Sequence, residues 1–291
     1  MMLHDRRPAL ALITLLVWCA TALAACSKPA TEALAQSFES SDGAAIHYVE
    51  KGTGNTLVWI PGWTFSGMVW EEQMDAFAAT HRNVVVDPRG QGRTPFKDHP
   101  KLFERRAKDL HELLAHLDTE DAILIGWSLG AEELAFMAAR YGTERIAALV
   151  LVDSDVTNES RGDEETAASR TQEFRQNREA MTQNFNRSMF EGEVPEELLQ
   201  RLVTDSLSAD IEGATRLMTR PRINHGKALR DLDLPILYIG AESNRHLTES
   251  LTTTAPSVQT VLLKDVGHAL FMEDPEAFNA ALNTFLKQME L

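Results

Sequence analysis

The sequence predicts an α/β protein in which a mostly parallel, doubly wound sheet is interrupted by a helical cap. Two observations lead to this fold class. From Ser37 onward, short apolar runs alternate with amphipathic stretches, which is typical of strands alternating with helices. Residues 154–227 break this alternation, because they are highly charged and contain no strand pattern.

The strand candidates after the first are near-continuous runs of β-branched residues and leucine. Such runs are typical of parallel strands that helices bury on both faces. The strands are predicted at Ala45–Glu50, Thr56–Ile60, Val84–Asp87, Ala122–Gly126, Ala147–Asp153, Pro235–Gly240 and Val258–Leu263. The helices between them are predicted at Met68–Ala79, Lys101–Leu117, Leu129–Tyr141, Arg245–Thr254 and Pro275–Glu290. Since right-handed crossovers connect such strands, functional residues are expected at their carboxyl ends.

The segment of residues 154–227 is interpreted as the helical cap, dividing the core into residues 38–153 and 228–291. Four apolar residues fall on one helical face, namely Phe174, Met181, Phe185 and Met189. Pro195 and the two glutamates after it favour the start of another helix. The alternative is that these helices pack on the flank of the sheet.

Composition excludes several classes of protein. Of 291 residues, 44% are hydrophobic and 24% are charged, as in ordinary globular proteins. The net charge of −15 argues against a nucleic-acid partner, because an acidic protein repels polyphosphate. Both cysteines, Cys19 and Cys26, lie near the N-terminus, so the rest of the chain has no disulfide and no cysteine-based metal site.

Residues 1–25 are predicted to be an export signal, with Arg6 and Arg7 before an apolar run. The run ends in Leu23-Ala24-Ala25-Cys26, which resembles a bacterial lipobox. The resemblance implies lipidation of Cys26, a tether at residues 26–37, and a protein anchored in the cell envelope facing the periplasm. Ser27 after the cysteine favours the outer membrane. Ordinary cleavage after Ala24 and an uncleaved anchor helix are the alternatives.

The segment Gly126-Trp127-Ser128-Leu129-Gly130 lies between a predicted strand and a predicted helix. This is the setting of a nucleophile elbow, a sharp turn that exposes a serine hydroxyl. A serine needs a base to take its proton. Of nine histidines, His268 is the candidate, because it follows the last strand and precedes the last helix.

The oxyanion of an acyl-transfer reaction needs two N–H donors that point to one place. One candidate is the backbone N–H of Leu129, directly after the serine. The other is the backbone N–H of Trp63, in the segment Pro61-Gly62-Trp63 that follows a predicted strand.

From about residue 40 onward, the chain resembles the α/β-hydrolase superfamily in its capped, serine-nucleophile branch. Beside the segments around Trp63 and Ser128, the resemblance rests on Asp87-Pro88-Arg89-Gly90-Gln91-Gly92-Arg93 and on Gly267-His268 followed by Asp274-Pro275. It implies an α/β-hydrolase fold with the cap after the sixth strand. In that family the Asp87–Arg93 segment is a structural turn, and no catalytic role is assigned to it.

The catalytic acid departs from the family's usual pattern. The family places an aspartate three residues past the glycine that ends the second-to-last strand, and that position is Ser243 here. Asp153, at the end of the sixth strand, is the preferred substitute, because some members of the superfamily carry their acid there. Glu242 is the second choice and requires a shifted loop. A site without a working acid is the third possibility.

These residues favour a serine acyl hydrolase, esterase-like, that cleaves a small or medium acyl ester without a cofactor or a metal. An acyltransferase or a perhydrolase would use the same residues. The missing aspartate motivates another alternative, a catalytically idle binding or scaffold lipoprotein. Arg220 and Arg222, near the end of the cap, are expected to be solvated at the surface.

Overall fold

The computed structural model describes residues 32–158 and 164–289. These residues include eight strands, which form a single sheet. The strands are β1 (Leu34–Glu39), β2 (Ala45–Lys51), β3 (Asn55–Ile60), β4 (His81–Asp87), β5 (Ala122–Trp127), β6 (Ile146–Val152), β7 (Ile236–Ala241) and β8 (Gln259–Leu263). Their order in the sheet is β1-β2-β4-β3-β5-β6-β7-β8. β2 is antiparallel to β1 and β4, and the pairs from β4 to β8 are parallel.

The helices are α1 (Glu71–Phe77), α2 (Leu102–His116), α3 (Leu129–Tyr141), α4 (Glu164–Gln176), α5 (Arg178–Ser188), α6 (Glu196–Ser208), α7 (Ile211–Met218), α8 (Gly226–Asp231), α9 (Arg245–Thr254), α10 (Leu270–Glu273) and α11 (Pro275–Gln288). A short 3₁₀ turn, Gly67–Trp70, precedes α1. Within residues 32–158 and 164–289, no helix has the length and apolar character needed to cross a membrane.

Both faces of the sheet are buried, and β3 shows how. Leu57 and Trp59 face one apolar cluster, which includes side chains of α1 and α11. Val58 and Ile60 face the other, which includes side chains of α2, α3 and α9. Side chains alternate across a strand, so a continuous apolar run supplies both faces at once. The predicted fold class, a doubly wound α/β sheet of the α/β-hydrolase type, is confirmed.

The N-terminal edge of the sheet differs from the prediction. Residues 34–37, assigned to the tether, form the first part of β1, which pairs with β2 from Leu34↔Glu50 to Glu39↔Ala45. Five of the six side chains of β1 are exposed, so its sequence lacks the apolar signal on which the prediction relied. Residues 1–31, with the predicted signal and Cys26, lie outside the described residues.

The segment between β6 and β7 is helical, as expected from its sequence, and contains α4 to α8. We call α4–α7 the cap helices. The apolar face predicted from Phe174 to Met189 is divided, because α4 ends at Gln176 and α5 begins at Arg178, with Asn177 between them. The predicted cap boundary at residue 227 falls inside α8.

Candidate active site

Ser128 lies on a sharp turn between β5 and α3, with φ 54° and ψ −117°. A non-glycine residue rarely adopts a positive φ, and such conformations cluster at functional sites. The flanking glycines make room for this turn. A β-carbon on Gly126 would lie 2.7 Å from the carbonyl group of Gly130, and one on Gly130 would lie 2.7 Å from the oxygens of Ile60 and Pro61. Any side chain at either position would therefore displace the turn.

Asp153 follows β6 and is completely buried, with a positive φ of 38°. Its carboxylate accepts three hydrogen bonds: from the backbone N–H of Ala241 at 2.9 Å, from Asn244 Nδ2 at 2.8 Å, and from His268 Nδ1 at 2.7 Å, with Nδ1 taken as the protonated nitrogen. A buried carboxylate with so many donors is held in one orientation.

Glu242, the second candidate acid, has a different partner. It is partly exposed and forms an ion pair with Arg245, 2.5 Å away, and the Arg245 guanidinium lowers the pKa of the Glu242 carboxyl. Ser243, where the family's usual aspartate would stand, donates a hydrogen bond to Val266 O at 3.3 Å. Of the two carboxylates weighed from the sequence, the structure brings Asp153 to His268.

His268 lies in the loop between β8 and α10, next to the nucleophile turn. The indole N–H of Trp127 donates to His268 O at 2.9 Å, and the two rings are 5.1 Å apart. Ser128, directly after Trp127, donates its backbone N–H to Val152 O at 2.9 Å, so it lies beside the residue that precedes Asp153. Among the described residues, no hydrogen bond joins Ser128 Oγ to the His268 ring. Such bonds are often long before substrate binds.

The loop after β3 lies against the serine. A β-carbon on Gly62 would be 3.3 Å from Ser128 Cβ, which places the Trp63 backbone beside the nucleophile. Within the part of the chain that the structure describes, the N–H groups of Trp63 and Leu129 donate to no protein acceptor. Both amides are therefore available to a bound group.

The cap helices contact this same loop. Trp63 Nε1 donates to Ala214 O of α7 at 2.9 Å, and the Trp63 ring lies 5.2 and 5.5 Å from the rings of Phe174 and Phe185. The Thr64 hydroxyl hydrogen-bonds that of Ser206 on α6 at 2.6 Å. The cap segment thus lies over the carboxyl end of the sheet, where the site residues are.

Asp205 of α6 accepts from the backbone N–H of Ser66 at 2.9 Å and from its hydroxyl at 2.6 Å. Burial raises the pKa of the Asp205 carboxyl. This contact adds a third polar connection between the cap helices and the loop after β3.

The loop of His268 has supports that the sequence analysis did not identify. Glu273 accepts from the backbone N–H of Gly267 at 2.8 Å and from that of Gly192, in the cap segment, at 2.7 Å. Asn244, which contacts Asp153, was also missed. Asn244 is 91 positions from Asp153, and Gly192 is 81 positions from Glu273, so the tertiary fold brings these partners together.

Arg220 corrects another prediction. It is not solvated at the surface but mostly buried, and it forms an ion pair with Glu132, near the start of α3. Its Nη1 also donates to Leu217 O at 2.9 Å. Pro221 and Arg222 are exposed, so the expectation of a solvated surface holds for Arg222 alone. Among the described residues, no group of three or more His, Cys, Asp or Glu side chains is arranged to hold a metal ion.

The fold and the serine turn define a class, the proteins of α/β-hydrolase architecture. The sequence profile of the Alpha/beta hydrolase family matches residues 57–281, and the chain belongs to that family. It is 38% identical over 115 residues to a non-heme chloroperoxidase of Kitasatospora aureofaciens, and this stretch covers 39% of the chain and 42% of that relative.

Two solved structures are similar over nearly the whole described fold. An esterase from Exiguobacterium antarcticum superposes with a TM-score of 0.82 at 19% identity, covering 87% of this chain and 100% of that one. A bromoperoxidase from Bacillus anthracis gives 0.81 at 25% identity, again with 87% and 100% coverage. At 19% identity, the likeness to the esterase is evidence for the fold alone.

Proposed function

We propose that the protein is a serine acyl hydrolase, esterase-like, acting on small or medium acyl esters. The observation that carries this proposal is the 2.7 Å contact between His268 Nδ1 and the buried carboxylate of Asp153, beside the strained turn of Ser128. A carboxylate that binds one imidazole nitrogen leaves the other free to act as a base. That base would serve the serine hydroxyl at the turn.

In the first half of the reaction, Ser128 Oγ attacks the ester carbonyl carbon while His268 Nε2 takes the hydroxyl proton. The carbonyl oxygen becomes an oxyanion, which accepts hydrogen bonds from the N–H groups of Trp63 and Leu129. His268 then gives its proton to the leaving alcohol, and an acyl-serine remains. In the second half, His268 takes a proton from water, the hydroxide attacks the acyl carbon, and the proton returns to Ser128.

Asp153 has two functions in this scheme. It keeps the proton of the neutral imidazole on Nδ1 and stabilises the imidazolium that forms in each half-reaction. The N–H of Ala241 and the amide of Asn244 hold the carboxylate so that it can do both. We propose that Glu242 takes no part in the reaction, since its partner is Arg245.

The proposed preference for a small or medium apolar acyl group is supported by the aromatic side chains between Trp63 and the cap helices. Phe174 and Phe185 face the Trp63 ring, beside the proposed oxyanion donors. Such an aromatic wall favours an apolar acyl group of small or medium size.

A second candidate function has support from the relatives, whose names are a chloroperoxidase and a bromoperoxidase. Hydrogen peroxide in place of water in the second half-reaction would release a peracid and regenerate the serine. The same residues would serve, so the acceptor molecule decides between hydrolase and perhydrolase.

These proposals are tested with a fluorophosphonate probe and a series of p-nitrophenyl esters of increasing acyl length. We expect an adduct on Ser128, fastest hydrolysis of short or medium esters, and loss of both in Ser128→Ala. Product analysis with hydrogen peroxide or an alcohol present would reveal a perhydrolase or an acyltransferase. A native protein that gives neither adduct nor hydrolysis would contradict the enzyme proposal and favour the binding or scaffold alternative.

We also propose that the protein is exported and anchored through lipid on Cys26 in the bacterial outer membrane, facing the periplasm. Leu34, where β1 begins, pairs with Glu50, which pairs with Val84 in the middle of β4, and β1 runs in the same direction as β4. Ser128 and Asp153 follow the carboxyl ends of their strands. The chain therefore enters β1 from the side of the amino ends of the parallel strands, and an anchor at Cys26 would lie away from the site. Membrane fractionation of Cys26→Ser against the unaltered chain tests the anchor, and release of the variant into the soluble fraction is expected.

A further inference from the structure

Gln91 lies in the turn after β4, the segment to which the sequence analysis assigned no catalytic role. Its side chain is 3% exposed, and its Nε2 donates to two backbone carbonyls, Gly62 O at 3.0 Å and Phe65 O at a shorter distance. These carbonyls lie at the two ends of the four-residue turn 62–65, which contains Trp63. One amide group therefore holds both ends of the turn that presents the proposed oxyanion donor.

The oxygen of the same Gln91 amide also has a protein partner. Arg106 Nη1 donates to Gln91 Oε1 at 2.5 Å. A guanidinium only donates, so the oxygen of the amide must face Arg106 and the NH₂ group must face the turn. This settles the orientation of the amide from its partners.

Arg106 is in turn bound to the helix that carries the nucleophile. Its Nε lies 2.7 Å from Glu133 Oε1, and its Nη2 donates to Glu133 Oε2 at 3.3 Å, with both side chains buried. Glu133 lies in the second turn of α3, which begins directly after Ser128. A connected series of polar contacts thus joins the helix of the nucleophile to the turn of the oxyanion donor.

We propose that Gln91 is a positioning residue for the reaction, which sets the place of the Trp63 N–H relative to Ser128 through its bonds to Gly62 O and Phe65 O. This inference rests on the proposed acyl-hydrolase function. Stabilisation of an oxyanion depends on donors that are already at the right distance from it. A displaced turn therefore weakens binding of the transition state more than it weakens binding of the substrate.

The test is Gln91→Glu, which keeps the size of the side chain and its bond with Arg106 but removes both donations to the turn. We expect kcat for p-nitrophenyl butyrate to fall about 100-fold, while KM changes less than about threefold. The Ki of a trifluoromethyl ketone, whose adduct with the serine carries the oxyanion, should rise in parallel.

Asn83→Asp is the matched control. Asn83 is a fully buried amide at the other end of β4, where Nδ2 donates to His81 O at 3.1 Å and to Lys51 O at 3.4 Å. The same chemical change there should lower stability without changing kcat or the Ki. Gln91→Met, which removes the donors without adding charge, gives a second measurement should Gln91→Glu not fold.

Three outcomes would overturn the role of Gln91 in an active enzyme. The first is that Gln91→Glu and Gln91→Met both keep kcat per folded protein within about threefold of the unaltered chain. The second is that Asn83→Asp loses as much kcat as Gln91→Glu, and the third is that Gln91→Glu lowers kcat but leaves the Ki of the ketone unchanged. An unaltered protein that neither hydrolyses the ester nor binds the ketone would overturn the proposed function, and the role of Gln91 with it.

Discussion

The two sides of the site are built differently. The sheet side consists of the turns after β4, β5 and β6 and the loop after β8, where charged groups such as Arg89 and Asp153 are buried and fully partnered. The cap side consists of α4–α7, where α4 buries only Phe174 and an exposed ion pair joins Arg175 to Glu212.

This difference in burial predicts how substitutions on the two sides will affect the protein. Breaking an enclosed ionic contact leaves a charge without a partner and without water, whereas an exposed pair regains water when it is broken. Substitutions on the sheet side should therefore alter turnover or folding, and many on the cap side should leave both unchanged. We infer that the sheet side sets the reaction and the cap side selects the substrate.

The largest expected effect is that of Asp153→Asn. Loss of the carboxylate removes the group that holds the His268 tautomer, and kcat for a model ester should fall by about 10³ to 10⁴-fold. Glu242→Gln, its matched control, should stay within about twofold of the unaltered enzyme, because Glu242 pairs with Arg245. The test is to measure kcat of both variants by steady-state kinetics. A larger loss of kcat in Glu242→Gln than in Asp153→Asn would refute the assignment of Asp153.

The next effect is on folding. Arg89 is buried and makes paired contacts with Asp109 and Asp42, each through two nitrogens, at 2.8–3.0 Å. Arg89→Met leaves the Asp109 carboxylate buried without this partner, and the free energy of unfolding in urea should fall by about 3–5 kcal/mol. Activity per folded molecule should be preserved. A variant as stable as the unaltered chain would show that the sheet side tolerates the loss of a buried cation.

His225 lies where the two ends of the cap segment meet, and its backbone N–H donates to Val156 O at 2.9 Å. Burial lowers the pKa of its imidazole to about 4, below the usual 6.5. The unfolded chain therefore binds a proton that the folded chain does not, and stability decreases as pH falls from about 6.5 to about 4. Between pH 7 and pH 5 the loss attributable to His225 is about 2 kcal/mol.

His225→Phe removes this titration, and a phenyl ring suits a side chain that already lies near Phe103 and Phe136. Urea unfolding at the two pH values should show a smaller acid-induced loss in the variant. An identical loss in both proteins would mean that folding does not lower the pKa of His225.

The smallest expected effect is that of Arg175→Met on the cap side. Arg175 lies 2.6 Å from Glu212, much as Arg89 lies from its partners, but both side chains are exposed. The surrounding water screens both charges, so the midpoint of urea unfolding should not change measurably. A loss of stability as large as that of Arg89→Met would contradict the distinction between buried ion pairs on the sheet side and exposed ion pairs on the cap side.

Short-range features of the site were readable from the sequence. The turn at Ser128 was predicted from Gly126 and Gly130, and the glycines are needed for contacts within the turn and with the end of β3. The ends of the seven predicted strands lie within one residue of the observed ends, except the start of β4, which lies three residues earlier, because a continuous apolar run reflects burial on both faces. The exposed β1 has no such run, and its first four residues were assigned to the tether.

Longer-range features were not readable. Gln91 binds carbonyls 29 and 26 positions away, and the turn that contains it looked purely structural in sequence. The catalytic acid stayed open between Asp153 and Glu242, because both residues follow strands that end at the same edge of the sheet. Arg220, which was expected in solvent, is mostly buried because the cap segment brings it to Glu132.

The strand pattern and the serine turn could be predicted from the amino-acid sequence, since each depends on periodicity or steric fit within a few neighbouring residues. The histidine could be predicted from its place between the last strand and the last helix. The tertiary structure alone decided which carboxylate meets the imidazole, across 115 positions, and which buried amide holds the turn of Trp63. The physical reason is that a hydrogen bond requires a distance within a few tenths of an ångström, and only the packed order of the strands sets that distance for residues far apart in the chain.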